Sequence, residues 1–147
     1  MKLFYAALFL LSFSSCVTLQ TVTAPKMGEI IEVPGTKEEL FVKANEWMVR
    51  TFNNAKSVIQ FQDKEAGKIM GKYLMFSISQ VNTDVYSLIT ISVRDKATKI
   101  DIEPMGDWKY DNSGMTVYNY STEKAQSEIK RLIDDYKVYM GKNKEVW

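Results

Sequence analysis

Residues 33–63, VPGTKEELFVKANEWMVRTFNNAKSVIQFQD, constrain the fold most, because the apolar period changes from helical to extended within them. Pro34-Gly35 is a strong turn signal. Thr36 and Glu39 follow in T-x-x-E spacing, in which a hydroxyl accepts a backbone N–H and the carboxylate reaches back to the N-cap. Leu40, Ala44, Trp47, Met48 and Phe52 then recur every three or four residues, so this helix has one apolar face. Asn53-Asn54 stop it. Over residues 57–63 the period falls to two, with Ile59 and Phe61 on one strand face and Val58, Gln60 and Gln62 on the other.

The rest of the chain extends this pattern. Residues 29–33, EIIEV, form a short β-like run before the helix, and residues 64–67, KEAG, form a hairpin-type connection after the strand. A long strand is expected over residues 68–79, with Gly71 marking a bulge or a close backbone approach. After a turn at residues 82–84, Val85, Ser87, Ile89, Ile91 and Val93 share one strand face; Tyr86, Leu88, Thr90, Ser92 and Arg94 share the other. Past a turn at residues 95–97, Ile100 and Ile102 point inward while Lys99, Asp101 and Glu103 face water. Residues 106–114 read as a long polar loop carrying Trp108 and Tyr110, and residues 115–120 as a short strand. Ser121 or Thr122 caps a last helix whose stripe is Ala125, Ile129, Leu132, Ile133, Tyr136 and Met140, with Gly141 at its C-cap. The expected fold class is α+β in the order β-α-β-β-β-β-α, a curved antiparallel sheet with both one-faced helices on the same side.

The N-terminus reads as an address. Lys2 precedes an apolar run over residues 3–11 and a small polar stretch ending at Cys16, the pattern of a secretory signal. The run is too short to span a membrane as a helix. Residues 13–16, FSSC, resemble a bacterial lipobox, with Phe13 where leucine is usual. That resemblance implies cleavage after residue 15 and diacylglycerol on the Cys16 thiol, an anchor worth about 0.8 kcal/mol per buried methylene. The chain therefore divides into a signal peptide over 1–15, a lipidated tether over 16–28, one domain over 29–141 and a tail over 142–147. The tether is rich in threonine and lacks acids. A cluster of acids after the lipidated cysteine directs some lipoproteins of gut anaerobes to the cell exterior, so its absence favours the outer membrane with the domain facing the periplasm.

Composition limits the chemistry. There is no histidine, and Cys16 is the only cysteine among 147 residues. Ser-His-Asp and Cys-His catalysis, zinc sites built on His or Cys, and His-ligated haem are excluded, as is a disulfide within the chain. Without Lys2 the chain carries 18 basic and 18 acidic residues, a poor match for nucleic acid, whose phosphates dominate affinity. No cofactor or metal is expected. Asp101 and Glu103 stand about 7 Å apart on one strand face, near a glycosidase separation, yet alternating charges are the ordinary solvated arrangement there. Asp134 and Asp135 read as surface charges, and Asp107, Asp111 and Asn112 match no calcium-loop spacing. Trp108, Tyr110, Tyr118 and Tyr120 form the best candidate binding group, because aromatics among polar residues suit sugar stacking or a protein contact. Covering the end of the sheet is their alternative role.

The Val33-Pro34-Gly35 turn, Trp47, the strand entry at residues 57–59, the run QDKEAGKI at 62–69 and the Val93-Arg94-Asp95-Lys96 turn resemble a family of uncharacterised bacterial lipoproteins. The resemblance covers residues 29–140. It implies a fold like one half of the TATA-box-binding protein and assigns no catalytic residues. A lipid-anchored, non-catalytic module docking on an envelope protein is the first functional reading. A small-molecule or glycan-binding lipoprotein using the helix-free sheet face or the aromatic segment is the second.

Overall fold

The computed structural model describes residues 20–22, 26–54, 58–79, 82–105, 108–110 and 115–142. The expected capping box forms. Glu39 N–H donates to Thr36 Oγ1 at 3.3 Å, and Thr36 N–H donates to Glu39 Oε2 at 3.0 Å. Helix α1, Lys37–Thr51, starts there. Asp95 Oδ1 accepts the Lys37 N–H at 2.8 Å, so a carboxylate distant in sequence also sits at the positive end of the helix dipole.

Strand β2, Met27–Glu32, precedes α1. Strands β3, Ile59–Asp63, β4, Lys68–Ile78, β5, Thr83–Arg94, and β6, Ala97–Met105, follow it, and helix α2, Met115–Gly141, closes the fold. All pairings in the five-stranded sheet are antiparallel, in the order β2-β6-β5-β4-β3. Consecutive hairpins build β3 to β6, whereas α1 carries the chain across from β2 at one edge to β3 at the other. This is the expected β-α-β-β-β-β-α architecture.

Both helices pack on one face of the sheet. Every residue of the two anticipated helical stripes is buried, as are Val85, Ile89, Ile91, Ile100 and Ile102 beneath them. Trp47 is 1% exposed and sits where α1, α2 and the sheet meet. It lies edge-on to Phe52 at 5.8 Å and to Tyr136 at 4.8 Å, and its Nε1–H donates to Asp135 Oδ2 at 2.7 Å. A buried indole thus keeps its large apolar area and satisfies its one donor. The Tyr136 hydroxyl bonds Thr98 Oγ1, and Thr98 Oγ1 donates to the Ser92 carbonyl at 3.4 Å.

Four local features differ from expectation. A bulge between Ile59 and Phe61 puts the two on opposite faces: Ile59 packs at the core edge while Phe61 is 48% exposed on the helix-free side. The bulge lies beside Gly71, where a Cβ would stand 2.7 Å from Met48 Cε, so Gly71 serves close helix approach. Residues 115–120 are the first turns of α2 rather than a strand, because continuation of the helical ladder outweighs the β-propensity of Thr116, Val117, Tyr118 and Tyr120, and Ser121 and Thr122 lie within the helix instead of capping it. Gly141 is the last residue of α2 and is not among the described glycines with positive φ, so no left-handed cap forms.

The fourth difference is a second, two-stranded sheet. Strand β1, Gln20–Val22, within the expected tether, pairs antiparallel with β7, Trp108–Tyr110, within the expected loop. Neither segment is long enough to announce itself, since three residues show no reliable alternation.

Ser87, fully buried between Tyr73 and Pro104 in register, has no hydrogen-bond partner for its hydroxyl among the described residues. Ser87→Ala is therefore expected to be neutral or to stabilise by up to about 1 kcal/mol, whereas Trp47→Ala is expected to cost about 3–5 kcal/mol. Urea unfolding followed by circular dichroism measures both, and a destabilised Ser87→Ala would mean that the hydroxyl is bonded after all.

Candidate binding surface

The structure separates the residues singled out by sequence. Cys16 and the calcium candidates Asp107, Asp111 and Asn112 lie outside the described residues. Trp108 and Tyr110 stand on β7, opposite Val22 and Gln20, while Tyr118 and Tyr120 belong to the start of α2. The four aromatics therefore do not share one loop.

Three of the four carboxylates in the two pairs have structural partners. Asp101 is held by Lys99 at 2.8 Å and Lys26 at 3.9 Å, which ties the start of β2 to β6. Glu103, its neighbour on that face, stays exposed. Asp134 pairs with Lys130 one helical turn earlier, and Asp135 receives the Trp47 indole. No three His, Cys, Asp or Glu residues converge on a metal-sized site among the described residues.

The surface that emerges instead is the helix-free side of the sheet. Register aligns Leu74, Tyr86 and Met105 across β4, β5 and β6, one beside the next. Met70 and Phe61 pair at the β3 edge of the same face, and Leu88 lies between those two groups. Phe61, Leu74 and Met105 are exposed by 48%, 41% and 39%, and Ile30 on β2 by 61%. Lys72 Nζ sits 4.4 Å from the centroid of the Tyr86 ring, a cation–π contact that ties up the nearest cation. Sequence alternation assigned Tyr86 and Leu88 to this face, but the Phe61 contribution needed the bulge.

A hollow beside the N-terminus of α1, lined by Gly35, Thr36, Glu39 and Asp95, does not suit an anion. The Lys37 and Glu39 amides there already donate within the protein, and two carboxylates occupy the site. Between β4 and α2, Tyr73 donates to Glu128 Oε1 at 3.3 Å, and Glu128 pairs with Arg131 at 2.6 Å. The Arg131 hydrogen bond holds the Glu128 carboxyl below the usual range against a smaller opposing effect of burial. Burial first, then Glu128, raises the Tyr73 phenol.

Burial also raises the Tyr136 phenol strongly, with the Thr98 hydrogen bond pulling weakly the other way. An unfolded tyrosine loses its proton near 10.0 while the folded one keeps it, so the unfolded state is favoured progressively as pH rises above that value. Tyr136→Phe is expected to flatten the loss of stability between about pH 9 and 11, leaving a smaller slope from Tyr73. Urea midpoints across that range check it, and an unchanged slope would exclude Tyr136 as its source.

A family model described as "Domain of unknown function (DUF4468) with TBP-like fold" matches residues 28–104. No curated protein matches the chain. Among solved structures, the chain is similar to a DUF4468 family protein from Bacteroides ovatus ATCC 8483, with a TM-score of 0.56 and 16% identity over 83% of this chain and 89% of that one. It is also similar to a TBP-like protein from Parabacteroides distasonis ATCC 8503, with a TM-score of 0.51 and 12% identity over 78% and 97% of the two chains. At such identities the likeness is one of fold. The family match spans both sheet edges and α1, and by it the chain belongs to the DUF4468 family of TBP-like domains.

Proposed function

We propose that this chain is a lipid-anchored, non-catalytic module of the cell envelope, held at the outer membrane through Cys16 and facing the periplasm, that docks on another envelope protein. The contact surface in this reading is the helix-free sheet face. The observation that carries it is the cross-strand row Leu74, Tyr86 and Met105 with Phe61 and Met70 beside it. Aromatics and methionine are the residue types enriched in protein interfaces. Of the charges on this face, Lys72 lies over the Tyr86 ring and Asp101 pairs with Lys99, while Glu103 stays exposed beside Met105 and calls for a cation on the docking partner. An open row of apolar side chains fits an apolar patch on a protein better than it encloses a small ligand.

The anchor is supported by the lipobox-like FSSC and by a chain whose only thiol lies there. No described helix is long and apolar enough to cross a membrane, which says nothing about a β-barrel.

Two measurements test the reading. Cys16→Ser is expected to abolish acylation detected by mass spectrometry and to move the protein out of the membrane fraction; retention in that fraction would refute the anchor. A photo-crosslinking residue at position 74 or 105 is expected to trap one envelope protein at near-equal stoichiometry, with no adduct from position 138 on the helical side. Adducts from 138 alone would move the interface, and glycan retention without any protein adduct would replace docking with glycan binding.

A further inference from the structure

The β1–β7 ribbon changes what the N-terminal segment does. Between Cys16 and the first residue of β1 stand three residues, 17–19. Four Cα–Cα steps span at most about 14 Å, however the segment is arranged. A chain anchored at Cys16 therefore cannot hold Gln20 far from the bilayer. Gln20 is paired with Tyr110, Thr21 with Lys109 and Val22 with Trp108. Adjacent strands lie about 4.8 Å apart and rise about 3.4 Å per residue, so the whole ribbon falls within roughly 25 Å of the anchor.

The residues that pairing delivers to this place are of a particular kind. Residues 108–110 are Trp-Lys-Tyr, and residues 20–22 are Gln-Thr-Val. Trp and Tyr concentrate at membrane–water interfaces, where an amphipathic ring meets both apolar and wet surroundings. A lysine at the same level attracts anionic headgroups, worth about 1 kcal/mol near the surface. Neither strand carries an acid, but Asp107 and Asp111 flank β7 in sequence and offset the charge of Lys109, so the two aromatics rather than net charge carry the contact.

We infer that the β1–β7 ribbon is a membrane-contacting element, seating residues 108–110 in the lipid headgroup layer and fixing the domain close to the membrane that holds its anchor. The inference rests on the proposed lipidation of Cys16. It assigns Trp108 and Tyr110 a lipid surface as partner in place of a sugar or a protein. The helix-free sheet face then works at short range from the membrane, because a paired ribbon replaces a free linker.

The test uses the full-length lipidated protein, reconstituted into phosphatidylethanolamine–phosphatidylglycerol vesicles containing phospholipid brominated near the glycerol end of its chains. Mass spectrometry first establishes the acyl groups on Cys16. The chain has three tryptophans, of which Trp47 is 1% exposed in the core. Bromolipid is expected to quench emission from the wild type and from Trp147→Phe, and the quenching is expected to vanish in Trp108→Phe. Acylated protein in the vesicles without quenching that depends on Trp108 would overturn this inference and leave the anchor standing. A Cys16 without acyl groups would overturn both.

Discussion

The structure depends on the seating of Trp47. Its indole meets Phe52 at the C-cap of its own helix and Tyr136 from α2, and its N–H is taken by Asp135 on α2. One side chain thus fixes the spacing of both helices on the sheet. Neighbouring contacts extend the same joint: Phe52 lies 4.7 Å from Tyr73 on β4, and Tyr73 reaches Glu128 on α2. Tyr136 in turn bonds Thr98 on β6. An apolar ring whose polar atoms all find partners keeps its burial without the cost of an unbonded donor.

That joint divides the sheet into two surfaces with different roles. The side beneath the helices holds nearly all the buried aliphatic residues, and there β5 is fully occluded at every second position from Val85 to Ile91. The opposite side keeps large apolar groups in contact with solvent, beside Lys72 over the Tyr86 ring and Asp101 paired with Lys99. A fold that needed only stability would place polar residues at Leu74, Met105 and Phe61. Their retention on one face is what makes that face the proposed interface.

The TBP-like architecture is a scaffold and carries no activity with it. Cations and anions are almost balanced and histidine is absent, which removes only the chemistry that needs an imidazole. Its distinguishing features lie at the margins of the scaffold: the candidate anchor at Cys16, the short ribbon next to it and the apolar face of the sheet.

Much of this was legible in the residues themselves. The capping box at Thr36, both helical stripes, the alternation of β5 and β6 and the order β-α-β-β-β-β-α follow from local periodicity, which sets each element's buried face before any element meets another. The absence of histidine and the position of the one cysteine were likewise sequence facts that narrowed the chemistry. Tertiary structure decided the rest. Alternation placed Phe61 with Ile59, but the bulge beside Gly71, imposed where Met48 presses on β4, turned it outward. Residues 115–120 joined α2 because the helix beyond them could be extended. Pairing of residues 20–22 with 108–110 joins segments more than 80 positions apart. A contact of that span leaves no period in either segment, because each strand is defined only by the partner that the folded chain brings to it.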